Sequence, residues 1–343
     1  LASNGAGTSG LATLALPGQS IAVQGTGFVA ATGAIQTPTL NFGTLQVGQQ
    51  VQQALTIRNT ATGAAGFVED LNASFGAATN GQISGTGSLS GILAGTNSTA
   101  SNGAMNVTVT GSTAGALNGS IRVNYTTAGA VNGVSNGLGP ASAGGEDYGV
   151  NGTITAVGNV INQASPLVNT PSVALGNVRV GTASPTAAVS VTNVATATPQ
   201  AALNASIAGN GAITGTGSFN LLAPGATNAT SLQVGMNTAT AGARNGTATI
   251  SFVSDASNVG GCAPNCQLTL ASQNVTVTGG VYQAAQANVP ATVNLGNVRV
   301  GTAANGSVAI SNTLAPSVPA GFQEGLSASV SGTAGGATAS GTF

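Results

Sequence analysis

The sequence contains no lysine, histidine or tryptophan, and only 3% of its 343 residues are charged, against roughly 25% in an average globular chain. Its five cations are all arginines and its acidic residues number six, so the formal net charge is −1. Histidine bases, lysine Schiff bases, His-ligated metals and Lys–Asn cross-links are therefore excluded. We expect no catalytic residues, no metal site and no cofactor, and hence no enzyme.

The same scarcity of charge limits the partners. With a net charge of −1 the chain has no basic surface to neutralise phosphates, so we expect no nucleic-acid partner. No run approaches the roughly 18 apolar residues that span a bilayer, and the opening LASNGAGTSG lacks the basic and apolar regions of a signal peptide. We predict no transmembrane segment. Because the sequence begins at Leu1, we expect a processed product or a segment of a longer protein.

The only cysteines, Cys262 and Cys266, lie in NVGGCAPNCQLTL between two strand-like runs. The three intervening residues include Pro264 and Asn265, which let the chain turn back, and this favours a disulfide between the two sulfurs. Such a bridge indicates an oxidising compartment. Two free thiols are the alternative, whereas a metal site would need further Cys or His ligands.

Internal repetition is the strongest pattern. An opening block occurs three times, as PTLNFGTLQVGQQVQQALTIRNTATG, PSVALGNVRVGTASPTAAVSVTNVATA and ATVNLGNVRVGTAANGSVAISNTLAP. Each copy has two glycines five residues apart and then an alternating strand that ends in asparagine. These asparagines are Asn59, Asn193 and Asn312. The first glycines, at which we predict tight turns, are Gly43, Gly176 and Gly296.

A closing block also occurs three times, as LALPGQSIAVQGTGF, EDYGVNGTITAVG and LTLASQNVTVTGGVY. Its aligned valines, Val23, Val150 and Val277, are 127 residues apart, about the length of an immunoglobulin-like domain with long loops. We predict that these valines pack in the closing strand of a sandwich. A third block begins at Leu71, Leu203 and Leu326, and its motifs GTGSL and GTGSF predict glycine turns.

Period-2 alternation runs through these blocks and is interrupted by clusters of Gly, Asn, Ser and Thr, while no stretch has a helical period. Short alternating strands with frequent turns predict an antiparallel sandwich. We therefore predict an all-β chain of tandem immunoglobulin-like antiparallel β-sandwich domains. Its predicted parts are terminal strands of a partial or preceding unit (1–30), repeat 1 (38–156), repeat 2 (170–282) and a partial repeat 3 (290–343).

The two ends of the chain allow two interpretations. Residues 1–28 match only the tail of a unit, and repeat 3 stops at the equivalent of Phe219. The chain is then either a window of a longer tandem array or a subunit whose N-terminal strands complete the last sandwich of the next subunit. Joined in this way, the two ends would still lack the equivalent of Asn220 to Ser254.

The blocks LNFGTLQVGQQVQQALTIRNTATG, VALGNVRVG with VSVTNVATA, and VNLGNVRVG with VAISNTLAP resemble choice-of-anchor D and related Hydin-like immunoglobulin-like repeats. The resemblance covers the first half of each unit well and the rest only by spacing. It implies β-sandwich arrays that are secreted by bacteria or lie on their surface, usually tethered by a separate anchor and without catalytic residues. This sequence departs from the pattern in its lack of charge and of an anchor segment.

The acidic residues are too scattered to predict a two-carboxylate site. Glu69-Asp70 and Glu146-Asp147 are adjacent pairs, and neighbours on a strand point to opposite faces, so we interpret both pairs as solvated loop positions. A calcium site built from Glu146, Asp147 or Asp255 with amide and carbonyl oxygens is the alternative, although no D-x-D-x-D loop occurs.

One position of the opening block changes its chemistry between repeats. Arg179 and Arg299 occupy the place that Gln46 holds in repeat 1. Because an uncharged residue is accepted there, no salt bridge is required, and we predict that this position lies on a solvated strand face.

Soluble sandwiches usually protect their edge strands with charges and keep their net charge away from zero, and this sequence does neither. We therefore predict a structural subunit of an extracellular bacterial fibre, sheath or matrix that associates with itself. A non-catalytic adhesin that presents its loops to surface glycans is the first alternative. An enzymatic role would need a catalytic domain outside these residues.

Overall fold

The computed structural model describes residues 1–36, 40–117, 119–149, 159–262 and 266–342. Within these ranges regular structure consists of 29 strands and two 3₁₀ turns, at Ala100–Asn102 and Ala256–Asn258. The first fifteen strands are β1 Ala2–Ser3, β2 Leu14–Ala15, β3 Gly33–Ile35, β4 Leu45–Gln46, β5 Gln50–Ala54, β6 Ile57–Asn59, β7 Leu71–Ala78, β8 Ile83–Ile92, β9 Gly103–Thr110, β10 Gly115–Ala116, β11 Ser120–Thr127, β12 Ala130–Val131, β13 Val134–Ser135, β14 Ala141–Gly149 and β15 Asn159–Ile161.

The remaining strands follow from residue 166 onward. They are β16 Pro166–Val168, β17 Ser172–Arg179, β18 Thr186–Asn193, β19 Ala202–Gly209, β20 Ile213–Thr216, β21 Ser218–Leu222, β22 Thr227–Met236, β23 Gly242–Ala243, β24 Gly246–Asp255, β25 Gln267–Tyr282, β26 Ala287–Asn288, β27 Ser311–Asn312, β28 Ser329–Ala334 and β29 Ala337–Thr342. The prediction of an all-β fold is thereby confirmed.

The chain divides into two compact units. Unit 1 comprises Leu1–Leu40, Gln52–Thr108 and Gly119–Gly152, and unit 2 comprises Asn41–Val51, Val109–Asn118 and Thr153–Phe343. The four domain boundaries expected from the repeats remain a prediction.

Unit 1 is built on most of a six-stranded sheet with the order β14-β11-β7-β8-β9-β5. The alternation in the sequence explains which face of this sheet is buried. In β11, Ile121, Val123 and Tyr125 are buried, and the residues between them are not. This is the period of two that a strand with one packed face requires. On the neighbouring β7, Leu71 and Ala73 are buried in the same way.

Unit 2 contains a complete sandwich. One sheet has the order β16-β18-β22-β20, and the other contains β17-β25-β24-β19-β21. Their inner faces share one hydrophobic core of small aliphatic side chains around Phe252, to which Val189 and Leu232 contribute from the first sheet and Leu203 and Val277 from the second. The tandem sandwich prediction is confirmed in this unit by two sheets around a common core.

The three glycines at which tight turns were predicted have left-handed backbone conformations, but Gly176 lies inside β17, at a register shift in its pairing with β25, and not in a turn. Gly43, Gly176 and Gly296 have φ values of 64°, 74° and 70°, which a residue with a Cβ atom rarely adopts. In the GTG motifs a second constraint is added. A Cβ atom on Gly87 would lie 2.0 Å from the carbonyl oxygen of Ala104, and one on Gly217 would lie 1.9 Å from that of Ser231. Both motifs therefore keep glycine where a neighbouring strand passes close by.

The three valines of the closing block have different outcomes. Val277 is fully buried in the core of unit 2, and Val150 lies outside the described residues. The prediction for Val23 is wrong, because its side chain is 91% exposed. The reason is that residues 16–28 form no strand and no ladder with another described segment, so no sheet covers them.

Candidate functional site

Three junctions of the same design are the most distinctive feature that the repeats share. At each, the chain leaves a closing block and docks on the segment that precedes the third block of the following repeat. Junction A joins 28–32 to 67–69, junction B joins 161–165 to 199–201, and junction C joins 282–286 to 322–324. Junction A lies in unit 1, and junctions B and C lie in unit 2.

The backbone makes the same short parallel pairing at every junction. In junction A the amide of Val29 donates to the carbonyl of Phe67 at 2.8 Å, and the amide of Glu69 donates back to Val29 at 3.0 Å. Asn162 makes the equivalent two bonds in junction B at 3.1 and 2.9 Å. In junction C, Gln283 makes them at 2.8 and 2.9 Å. Each of these short segments is thus hydrogen-bonded to the repeat that follows it.

An asparagine closes each junction from the side. Asn193 accepts a hydrogen bond from the amide of Ser165 at 3.0 Å and donates to the carbonyls of Ala201 and Leu222 at 3.2 and 3.0 Å. Its side chain is fully buried. Because the asparagine carries both an acceptor and two donors, it satisfies backbone groups on both sides of the junction.

At the other two junctions the aligned asparagine makes the same kind of contact, with three of these bonds at Asn59 and two at Asn312. Asn59 accepts from Thr32 at 3.3 Å and donates to Glu69 and Ile92 at 3.0 and 3.1 Å. Asn312 accepts from the amide of Gln286 at 3.0 Å and donates to the carbonyl of Glu324 at 2.9 Å. The asparagine that ends each opening block therefore has a specific structural task, which is to hold a junction together.

The apolar contacts of the junctions differ in kind. In junction A the rings of Phe28 and Phe67 have centroids 5.9 Å apart, and in junction C those of Tyr282 and Phe322 are 5.2 Å apart. Junction B has no aromatic pair among its described residues. There Ile161 packs in a small cluster that includes Ala201 and Cys262. Where the first segment of a junction begins with an aromatic residue, the second segment begins with phenylalanine. In junction B these two places are held by Ile161 and Pro199.

Junction B is further held by Gln46, in the variable position of the opening block. Strand β4 pairs in parallel with β15, placing Gln46 opposite Ile161. The Gln46 side chain is fully buried. Its amide nitrogen donates to the carbonyls of Cys266 and Ser254 at 2.8 and 3.2 Å, and its oxygen accepts from the Ser254 hydroxyl. The prediction of a solvated face is therefore wrong for this position in repeat 1.

At junction C the same position holds Arg179, which lies opposite Tyr282 in the parallel ladder of β17 and β25. Its guanidinium Nε contacts both carboxylate oxygens of Glu324 at 2.9 and 2.8 Å. The hydrogen bond with Glu324 raises the pKa of Arg179. The Arg179 side chain is 65% exposed, as predicted for a solvated face, but it is also ion-paired. Arg299, at the third occurrence of the position, is exposed.

The first acidic pair is buried, so its interpretation as a solvated loop is wrong. Glu69 is 4% exposed and Asp70 is 1% exposed. Glu69 accepts hydrogen bonds from the Thr127 hydroxyl and from the amide of Asn136. Asp70 accepts from the backbone of Asn132 and Gly133 at 3.0 and 2.7 Å. These carboxylates hold the loop that carries β12 and β13, because carboxylates are strong acceptors for such donors.

Asp255 performs the corresponding task in unit 2. It lies opposite Ala202 in the ladder of β24 and β19, and accepts from the Ser257 amide and the side chains of Asn204 and Gln267 at 3.0, 2.8 and 2.9 Å. Burial by itself would raise its pKa, but these hydrogen bonds to the charged form prevail and lower the pKa to about 2. Asp255 thus stabilises a turn.

The second acidic pair supports a strand pairing in unit 1. Glu146 accepts from the Tyr125 hydroxyl at 2.9 Å and from the amide of Ile35 at 3.1 Å. Burial, followed by this contact with Glu146, raises the pKa of Tyr125. Asp147 forms an exposed ion pair with Arg122 at 3.2 Å. Within the described residues no three His, Cys, Asp or Glu side chains come close enough to hold a metal ion.

The two cysteines are joined in a disulfide, with a Cα–Cα distance of 4.9 Å. Among the residues that the structure describes, no helix combines the length and apolar character needed to cross a membrane.

No protein-family model matches the chain, and no curated protein matches it in sequence. Solved structures with a partial likeness include an endo-fucoidan hydrolase of glycoside hydrolase family 107, with 11% identity and a TM-score of 0.22 over 74% of this chain and 29% of that chain. The D0-D1 domain of intimin has 13% identity and a TM-score of 0.16 over 71% of this chain and 97% of that one.

Domains 4 and 5 of the S-layer protein SbsC have 13% identity and a TM-score of 0.20, over 73% of this chain and 96% of that one. The fold is shown by the sheets and the hydrophobic core of the chain itself.

Proposed function

We propose that the chain is a structural subunit of an extracellular bacterial fibre, sheath or surface matrix, and that it associates with itself through its uncharged sandwich repeats. The observation that carries this proposal is the junction built three times with the same backbone pairing and the same asparagine. Repeats that are hydrogen-bonded to their connections suit a structural element, because free linkers would let neighbouring domains move independently.

The distribution of charge supports self-association. Of the five arginines, Arg122 and Arg179 are ion-paired, and Arg244 is 8% exposed with its guanidinium bonded to the carbonyls of Asn237, Thr240 and Ala243. Few charges are left to repel a second copy or to protect an edge strand. Association of this kind should be insensitive to salt, since electrostatic repulsion contributes little to it.

Exposed apolar side chains supply the surface for association. Ile21 and Val23 are 88% and 91% exposed, and Val293 and Val308 are each 42% exposed. In repeat 2 the equivalents of Val293 and Val23 are Val173 and Val277, which face each other in the parallel ladder of β17 and β25. We propose strand donation on this template, with the segment around Val23 of one copy pairing with the segment around Val293 of another.

The resemblance of the opening blocks to choice-of-anchor D and Hydin-like repeats supports the extracellular part of the proposal, as does the disulfide, which persists in oxidising compartments. The closest alternative is a non-catalytic adhesin. Two shallow cavities of about 450 and 370 Å³, lined by 195–200 with Pro224 and by 61–66 with neighbouring loop residues, lie at equivalent places in two repeats. An adhesin would bind glycans in such loop cavities.

Electron microscopy of the purified chain under non-denaturing conditions tests the proposal. Regular filaments or sheets are expected. Dispersed particles at every concentration would contradict self-association, and binding to a glycan array would then support the adhesin.

A matched pair of variants shows which surface is used. Val308 is the equivalent of Val189, which is fully buried in the core of repeat 2. Val308→Asp should leave the melting temperature of the dispersed chain unchanged and abolish filaments, because association buries the new charge. Thr302 is exposed at a turn, where its hydroxyl donates to the carbonyl of Arg299. Thr302→Asp should leave the filaments intact. Filaments of Val308→Asp would overturn association through this surface.

A further inference from the structure

We propose that residues 260–262 and 266–267, which the Cys262–Cys266 disulfide joins, are a redox-sensitive clasp that holds the opening segment 44–49 on unit 2. The clasp is defined as residues 260–262 and 266–267. This inference concerns unit 2 alone and stands whether or not copies of the chain assemble.

The contacts between the clasp and the opening segment are polar and numerous. Thr44 donates from its amide to Gly261 at 2.9 Å and from its hydroxyl to Gly260 at 3.0 Å. Gln46 donates to the carbonyl of Cys266 at 2.8 Å, and Gln49 donates to the carbonyl of Gln267 at 3.4 Å. All four acceptors are backbone carbonyls. Gln267 is held in the ladder of β24 and β25, so the bonds that depend on the path of the chain around the disulfide are those to Gly260, Gly261 and Cys266.

Among the described residues, no strand ladder holds Gly260, Gly261, Cys262 or Cys266 on this path. Residues 260–262 and Cys266 lie outside the strands, and Gly260 and Gly261 both have left-handed conformations, with φ of 79° and 68°. Glycine has more conformational freedom to regain than any other residue. The further support is the Ala256 amide, which donates to Cys266 at 2.8 Å. Without the cross-link, residues 260–262 and Cys266 are therefore expected to sample other paths.

The disulfide joins a buried cysteine, which packs against junction B, to a cysteine that is partly exposed. Cys262 is 7% exposed and packs with Ile161, Ala201 and Ala256, all of which belong to the junction or the adjoining turn. Cys266 is only partly buried. A dithiol reagent is expected to attack its sulfur, form a mixed disulfide there and release Cys262 as a thiolate, which takes up a proton. The second thiol of the reagent then displaces Cys266 and closes the reagent's own disulfide.

Hydrogen–deuterium exchange of the full chain, with and without dithiothreitol, tests the clasp. Reduction is expected to raise amide exchange in 44–49 and 254–262 by about tenfold or more, while exchange in β22 stays unchanged, because opening is local. The double variant Cys262→Ser, Cys266→Ser should show the raised exchange with or without reagent.

Two results would overturn the proposal. The first is unchanged exchange in 44–49 after reduction has been verified by thiol alkylation and mass spectrometry. The second is an equal rise in β22, which would mean that the disulfide supports the whole sandwich and not a clasp. As a matched control, Ser218→Ala on the exposed part of β21 should keep the response of the wild type to the reagent.

Discussion

Junctions B and C have the same backbone pairing and an asparagine at the same place, yet their side chains differ in burial and in charge. Junction B is buried around Asn193 and Gln46, both fully inaccessible to solvent. Junction C is open, with Asn312 exposed and with Arg179 paired to Glu324 at the surface. The comparison teaches that the asparagine and the pairing define a junction, whereas the variable position adapts to what the following repeat presents.

The largest expected difference between the two junctions concerns their asparagines. Asn193→Ala should lower the free energy of unfolding of unit 2 by about 3 kcal/mol, because the Ser165 amide and two carbonyls lose their partner in a buried place. Asn312→Ala should cost less than about 1 kcal/mol, since water replaces the exposed side chain. Urea denaturation followed by circular dichroism measures both. Equal losses would contradict the distinction between a buried and an open junction.

The next effect sharpens the role of the variable position. Gln46→Ala should destabilise unit 2 by about 2 kcal/mol, because the carbonyls of Ser254 and Cys266 and the Ser254 hydroxyl each lose a hydrogen bond to a buried side chain. Gln50→Ala is the matched control, since Gln50 is exposed and its side chain donates to the Thr110 hydroxyl at the surface, and it should stay within about 0.5 kcal/mol of the wild type. A neutral Gln46→Ala would mean that water reaches the site.

A smaller effect depends on pH and concerns the turn next to junction B. The pKa of Asp255 is lowered to about 2 in the folded chain, compared with about 3.9 in an unfolded one. A carboxyl group whose pKa is lowered by folding stabilises the folded chain at pH values above its unfolded-state pKa. This stabilisation is lost as the pH falls to the folded-state pKa. The melting temperature should therefore fall between about pH 4 and pH 2, and Asp255→Asn should flatten this fall. An identical pH profile for wild type and variant would contradict the assignment.

The smallest effect is expected at the ion pair of junction C. Arg179→Ala should change the melting temperature little, because an exposed pair is screened by water and salt. The small difference in melting temperature between the variant and the wild type should vanish in about 1 M sodium chloride, where the Debye length is about 3 Å. Calorimetry at low and high salt measures it. A large, salt-independent loss would show that junction C depends on this pair as junction B depends on Gln46.

The sequence was sufficient to predict the all-β sandwich architecture and the repeats, because alternation and glycine spacing are local signals. Gly43 and Gly176 have left-handed conformations, although Gly176 lies at a bulge inside β17 and not in a turn. The junctions were not predicted, although Asn59, Asn193 and Asn312 had been recognised as aligned ends of a strand. Their task depends on contacts with segments that are remote in sequence, and a repeat alignment contains no information on such contacts.

Burial of polar side chains was the main source of error. Glu69, Asp70 and Gln46 were expected in solvent because they are polar or charged, and each is buried with a full set of partners. Val23 was expected in a core because it is apolar and aligned with Val277, and it is exposed. For the polar residues and for Val23 alike, hydrophobicity alone did not predict burial, because burial also depends on which neighbours surround the side chain in the folded chain.

Sedimentation velocity of the full chain over a range of concentrations, at low and at high salt, tests the central claim of self-association most directly. The account predicts species heavier than the 32.3 kDa monomer, growing with concentration and insensitive to salt because the associating surfaces are apolar and uncharged. A single species at the monomer mass under all these conditions would contradict it.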